Sequence, residues 1–542
     1  MEAMSKELNE LRSQSMKSGT TSTTSTDDSG FSADMAANLA SAIPADDFEL
    51  SVETVGIGCV AVPAAVAVEA FNIFATFFHP RLPVLVSINI NDIYHTCPFL
   101  FWTIISIVSS HTTIPSSPGL FDQIAGPFQD MARNEALQAP LPLQKVRALL
   151  LLCMWPMPVD CQQKDPSWLY SGIAVNSALY LGLRQSGMSV PSRGGYPETP
   201  LDRIITWLGC FFVSGSLSMH LGLPAIIDNS SELARVAACI QDYPLSREFA
   251  SEIKLQTIII DFTNVLAHTA NDGAIDSSIL HLLDRELEAL KTSYPDQWGC
   301  MLEYNTLVAK LHMYGQVISR DRVGNMGREI LLKLSFTMCL RIIYLANVRH
   351  GENPPEKHGV PAKRQKRALP KAYFKGLAFT TAFLLRYFSL NTTASAEEQQ
   401  LAANHVVLSH SIFKSCSYHP RDEMNRAAEA FEELCQHGPM RIDSQRAAPG
   451  DRVGLSLLLQ AMRLATAKND FSASSLSPPA APSPAQPVTA SPNMIPPPAY
   501  AVPVNPTLDP WAMDMISVDQ YWAGHDWDSL GQTFMDTHFQ PR

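Results

Sequence analysis

From about residue 60 to 468 apolar residues recur at helical spacing almost without a break, while strand-like alternation is rare and never repeats at regular intervals. A chain patterned in this way buries its apolar faces only by packing helix on helix. The pattern therefore predicts an all-α fold, a large multi-helix regulatory domain flanked by disordered N-terminal and C-terminal segments. The clearest helix is predicted over 165–187, DPSWLYSGIAVNSALYLGLRQSG. Asp165 suits the N-cap, Pro166 the first helical position and Gly187 a left-handed stop. Trp168, Gly172, Val175, Leu179 and Gly182 form one apolar stripe, and Leu169, Ile173, Tyr180 and Leu183 a second. Apolar on both faces, this helix is expected deep among others, with Asn176 as a hydrogen-bonded interior amide. Further helices are predicted over 201–221, 251–268, 276–290, 301–317, 329–348, 371–389 and 454–465.

The flanks read differently. Met1, Met4, Leu8 and Leu11 take heptad a/d spacing in residues 1–14, a coiled-coil stub or a frayed amphipathic tail. Residues 15–59 read as a disordered Ser/Thr-rich linker. Within the helical domain, residues 350–370 collect prolines, glycines and basic residues, and predict an exposed loop. Residues 469–506 form a disordered spacer, with eleven prolines and no charge over 471–506. Residues 507–542 then change to an acidic-aromatic tail.

Charge narrows the partners. The 542-residue chain carries a formal charge of −12, which repels nucleic acid, so any contact with DNA needs a local basic module. The ten cysteines include no CxxC pair and read as reduced, mostly buried thiols. No apolar signal segment opens the sequence. The apolar stretches 55–68 and 98–110 are shorter than the roughly 18 residues of a membrane span. An intracellular protein with no membrane partner is expected.

Catalytic chemistry has little to stand on. GIGCVA, residues 56–61, matches the dinucleotide pattern G-x-G-x-x-A, yet Pro63 lies where the helix should propagate and no β–α alternation follows. The segment is expected to be flexible and apolar. No P-loop, HExxH, GxSxG or EF-hand string occurs. His405 and His410, five residues apart, read as ordinary polar-face histidines; Cys153 and Cys161 read as core thiols. No catalytic, cofactor-binding or metal-ligating residue is assigned, and the chain is expected not to be an enzyme.

Two clusters suggest partners instead. Lys363, Arg364, Lys366 and Arg367 follow a proline in the basic loop, and can lie extended in the acidic, aromatic-lined groove of an importin. The alternative is a solvated surface loop. In the tail, Asp514, Asp519, Asp526 and Asp528 alternate with Trp511, Tyr521, Trp522, Trp527, Phe534 and Phe539. Acidic residues keep such a chain extended while its aromatics stay available to shallow coactivator grooves, the composition of an activation domain. The alternative is a tail that docks back on its own domain.

Five strings together resemble the regulatory (middle homology) domain of fungal-specific zinc-cluster transcription factors. They are FFHPRLPVL at 77–85, CPFLFWTIISIVSS at 97–110, VRALLLLCMWPMPVD at 146–160, the helix at 165–187, and WLGCFFVSGSLSMHLGLPAII at 207–227. Within that family the order and spacing are similar to the fungal activators of extracellular protease genes. The resemblance implies a nuclear regulator of RNA polymerase II transcription, an activator, acting on secreted protease or secondary-metabolite genes. It also implies a helical domain that holds an inhibited or homodimeric state and senses a metabolite. Such regulators carry an N-terminal cluster of six cysteines with two zinc ions. Here the first cysteine is Cys59 and nothing before it is strongly basic, so no zinc-ligand or DNA-contacting residue carries over. Zinc is expected only if such a cluster is missing from this chain. Without it, a co-regulator riding on a DNA-bound related factor is the alternative, with a dinucleotide-binding enzyme or a cytosolic helical adaptor as further readings.

Overall fold

The computed structural model describes residues 49–139, 141–185, 198–269, 277–318, 325–351, 366–391 and 394–436. Order begins earlier than the pattern predicts. Thr54–Ile57 (β1) and Val60–Pro63 (β2) pair antiparallel, with Ile57 opposite Val60. Gly58 makes the turn at φ +58°, in the left-handed region that favours glycine. Val55, Ile57 and Val62 are buried, so alternate residues of GIGCVA and its flanks face the core. Residues 49–59 therefore do not belong to the disordered linker expected over 15–59, whose remainder lies outside the described residues, and the expected flexible segment is a hairpin. Its glycines serve β1 and the turn. Because a second strand follows directly, no strand-to-helix cradle for a pyrophosphate forms there.

Fifteen α-helices account for most of the remaining described residues, and the all-α class holds. They are α1 (Ala64–Ile73), α2 (Ile90–Thr96), α3 (Pro98–His111), α4 (Leu120–Leu137), α5 (Leu143–Met154), α6 (Ser167–Tyr180), α7 (Pro200–Leu221) and α8 (Ser230–Asp242). The second half holds α9 (Arg247–Thr269), α10 (Ser277–Ser293), α11 (Cys300–Ile318), α12 (Asn325–Gly351), α13 (Lys371–Leu390), α14 (Ala396–Cys416) and α15 (Glu423–Gln436). The predicted helix over 454–465 lies outside the described residues.

Two hydrophobic cores result. The first runs from Val55 into α9 and also takes Ala368, and the second runs from α9 to Phe431. Helix α9 serves both, turning Phe249, Ile253 and Ile260 to the first and Leu255, Ile259 and Leu266 to the second. At the centre of the first core, every residue of α3 from Phe99 to Ser110 is buried. Two of its serines cost little there, since Ser109 and Ser110 donate to the carbonyls of Ser106 and Ile107 on their own helix, whereas the Ser106 hydroxyl is buried without a hydrogen-bond partner.

Helix α7 shows how local sequence fixes an element. Thr199 and Asp202 form a reciprocal capping box with Pro200 at the first helical position. Gly222 closes the helix at φ +63°, where Leu223 N–H reaches the Ser218 carbonyl at 2.9 Å. Midway, a Cβ on Gly209 would stand 2.6 Å from Val84 Cγ1, so only glycine lets α7 approach the 82–86 segment this closely. It is also the one described helix long and apolar enough to cross a membrane, and 78% of its apolar window is buried inside this fold.

Helix α6 departs from expectation. It ends at Tyr180 rather than running to residue 187. The left-handed stop is Gly182 at φ +66°, and Gly187 lies outside the described residues. Gly182 and Leu183 donate to the Leu179 and Ala178 carbonyls, satisfying both orphan acceptors. Only one face is buried: Ala174, Val175 and Ala178 pack inward against α5 and α7. The other face is open, with Leu169 68% and Tyr180 88% exposed, and Asn176 is exposed rather than interior. Small residues on the inward side let the helix sit close to its neighbours, which leaves Leu169 and Tyr180 of the second stripe in solvent, while Ile173 is half-buried and Leu183, past the helix end, is buried in the core.

Candidate functional site

Of the four basic residues, Lys363 and Arg364 lie outside the described residues, and Lys366 and Arg367 open a short helical turn. Both described cations are half-buried, and Ala368 and Leu369 behind them are buried, so the far end of the expected exposed loop belongs to the fold. Arg367 donates to the Ser417 carbonyl at 3.0 Å and lies over the Tyr418 ring at 5.0 Å. The Ala368 carbonyl accepts from Trp155 Nε1 at 3.0 Å. All the tail residues, Trp511, Asp514, Asp519, Tyr521, Trp522, Asp526, Trp527, Asp528, Phe534 and Phe539, lie outside the described residues.

The remaining candidates find ordinary partners. His405 Nδ1 contacts the Leu401 carbonyl at 2.8 Å, and His410 Nε2 meets Glu432 at 2.6 Å. The Cys153 thiol donates to the Ser167 carbonyl at 3.1 Å, and Cys161 is buried. In the 77–85 string, His79 contacts the Leu85 carbonyl at 2.9 Å. Burial pushes its pKa down to about 4, so a neutral imidazole ties this loop together.

The chain break between α5 and α6 carries a charge cluster that sequence reasoning missed. Asp165 Oδ1 accepts from Ser167 N–H at 2.9 Å, but it stands one residue before the N-cap expected of it: Pro166 holds that position and the helix starts at Ser167. Its Oδ2 meets Lys371 Nζ from α13, and both side chains are nearly inaccessible. Burial alone would raise the Asp165 pKa, but the Lys371 charge and the hydrogen bonds outweigh it and hold the carboxyl at about 2. Beside this pair, Lys375 meets Glu423 of α15 and donates to Gln162 at 2.7 Å, while Arg426 donates to the Val159 carbonyl. These contacts clamp the Trp155–Asp165 break between α13 and α15.

Where the two cores meet there is a cavity of about 360 Å³, bounded by α7, α9, α11, the start of α13 and the loop at Arg81. That size lies within the range of small-molecule sites. Much of its wall is apolar, from Phe212, Met219, Leu255, Met301 and Val308. Its charged and polar lining includes Arg81, Glu248, Glu252 and Asn305. Asn305 Nδ2 donates to Glu252 Oε1 at 2.7 Å. Burial pushes the Glu252 carboxyl up to about 7, against that hydrogen bond and the Arg81 charge. Gln256 and His220 stand in the same wall, and Gln256 Nε2 and His220 Nδ1 are buried without hydrogen-bond partners. Gln256 fits because Gly215 faces it: a Cβ there would stand 2.8 Å from Nε2. The sequence held no motif for this wall, since the cavity's residues come from six separate segments.

Residues 71–248 match the family model described as the fungal specific transcription factor domain. Among curated proteins the chain is similar to the transcriptional regulatory protein SEF1 of Candida albicans, 30% identical over 267 residues, covering 47% of this chain and 29% of that protein. A putative transcription factor SEF1 of Eremothecium gossypii is 28% identical over 268 residues, 48% of this chain and 25% of its own length. A protein of Saccharomyces cerevisiae named as a regulatory protein is 25% identical over 292 residues, 49% of this chain and 33% of its own. This chain therefore spans a third or less of the length of each. No solved structure matches. The matched span begins in α1, runs through all five sequence strings and ends at the start of α9, so residues 71–248 are the part of the chain similar to the fungal specific transcription factor domain.

Proposed function

We propose that the whole chain is a nuclear regulator of transcription, acting by binding other macromolecules rather than by catalysis. The observation that carries this reading is the family match over 71–248, joined to relatives named as transcriptional regulators. The finer reading comes from the sequence: activation through the tail, import through the basic cluster, and secreted protease or secondary-metabolite genes as targets. The helical domain supplies a rigid body to which both signals are attached. Contact with DNA comes through a DNA-bound partner or through a zinc cluster not present in these residues.

Fusion of residues 1–542 to a foreign DNA-binding domain tests the effector role. Reporter activation is expected, and deletion of 507–542 abolishes it; unchanged output after the deletion would remove the tail from the account. Import is tested with a fluorescent fusion. Lys363→Ala with Arg364→Ala should shift the protein out of the nucleus. Arg367→Ala should do so less, because Arg367 is already engaged with Ser417 and Tyr418. Nuclear accumulation unaffected by all three changes would discard this cluster as the signal.

A further inference from the structure

Helix α6, Ser167–Tyr180, contains no charged residue, although one of its faces is open to solvent. At 3.6 residues per turn, Leu169, Gly172, Ile173, Asn176, Leu179 and Tyr180 fall within about 120° of arc on that face. Leu169, Leu179 and Tyr180 are exposed there, and so is Asn176 near the middle. Other exposed helix faces carry apolar residues too, but charges are interleaved with them. On α12, Ile330, Leu334 and Tyr344 share the solvent side with Glu329, Lys333 and Arg341. The charges around α6 are already paired within the chain: Lys164 with Asp160, Arg184 with Glu232, and Arg133, whose charge reaches Tyr170, with Asp130.

We infer that this face seats a second copy of the same chain, the two α6 helices packing antiparallel about a two-fold axis. Charge argues for that occupant. A charged segment or partner finds no countercharge here and would lose hydration on docking. An uncharged apolar face meets its own image across a dyad without bringing like charges together. Pairing about the middle of the face sets Leu169 against Tyr180 of the second copy. It also brings the two Asn176 amides, each both donor and acceptor, to either side of the axis, where they bond one another. Gly172 supports the same occupant. Glycine weakens a helix interior, and an added Cβ at Gly172 would meet nothing within 4 Å, so no packing inside the chain calls for it. A second helix crossing there does, because its backbone approaches more closely over glycine. The face is only about 21 Å long, which places the dimer at the weak end of specific association. The inference does not rest on the regulatory role proposed above, since its readout is mass in solution.

The test is sedimentation velocity of the full chain from about 1 to 200 μM, where a monomer–dimer equilibrium is expected with Kd on the order of 10 μM. Asn176→Asp and Asn176→Lys each put like charges beside the axis, and each should weaken the dimer about tenfold or more. Mixing the two variants brings opposite charges together and should restore association, a rescue that only a second copy of this face provides. Gly172→Leu should weaken the dimer without lowering the melting temperature of the dilute monomer, and it decides the matter if the Asn176 variants fail to fold. A chain that stays monomeric at the highest concentration, a dimer that these substitutions leave intact, or a mixture that fails to associate would each overturn the proposal. So would a lowered monomer melt in Gly172→Leu, because another part of the same chain would then cover the face.

Discussion

Asp165 and Lys371 stand 206 residues apart in the sequence and meet in the interior, where each is the other's main compensation. Lys371→Met leaves an uncompensated buried carboxylate and should cost about 3–5 kcal/mol in denaturant unfolding. Adding Asp165→Asn should recover part of that loss, because the penalty is the orphaned charge rather than the missing contact. The pair also sets an acid limit. The folded carboxyl is held at about 2, below the unfolded value near 3.9, so its contribution is present above the latter. It is lost as pH falls from about 4 through about 2. Glu432 acts in the opposite direction. Burial raises its pKa to about 7, so it weighs on stability as pH rises from the ordinary glutamate range through neutrality. Glu432→Gln should flatten that decline in a series of melts between about pH 5 and 8. Asp165 was legible from sequence as a side chain that bonds the start of α6, one residue before the N-cap position expected of it, since such bonds are local. Its partner was not, because Lys371 opens a helix whose position against the α5–α6 break depends on the whole second core.

Helices were legible in proportion to their caps and punctuation. Seven expected helices appear among the described residues, each within a few residues of its predicted bounds, except that α6 stops short. There the error lay in choosing between two glycines: Gly182 fits the apolar stripe as well as it fits a stop, and periodicity could not separate the roles. The backbone does separate them, and substitution should too. Gly182→Ala forces an L side chain to φ +66° and should destabilise by about 1–2 kcal/mol. Gly172→Ala, inside α6 with nothing within 4 Å of the added Cβ, should be neutral or stabilise by up to about 1 kcal/mol. Equal effects at the two sites in urea titrations would argue that α6 continues past Tyr180. The hairpin was hidden for a different reason. Four-residue strands are too short to show alternation against a background of helices, and only the positive φ at Gly58 marks the turn.

Across the whole molecule, the family match and the physical unit do not coincide. Residues 71–248 stop at the first turn of α9, before Ile253 and Ile260 complete the first core. Cut there, Asp165 loses Lys371, Trp155 loses the Ala368 carbonyl, and Gly215 loses the Gln256 side chain packed on it. The cavity, the clamp on the α5–α6 break and the shared helix all lie where the two halves join. None of them could be read from strings that each describe one half. A fragment of residues 71–248 should therefore bind ANS and lose near-UV dichroism while keeping helical far-UV signal. Residues 49–436 should melt as one cooperative unit, since α9 contributes to both cores and charged and aromatic anchors cross the boundary between them. Two separated transitions in that longer chain, with Lys371→Met shifting only the first, would show that the halves fold independently and that their junction is a contact between finished domains.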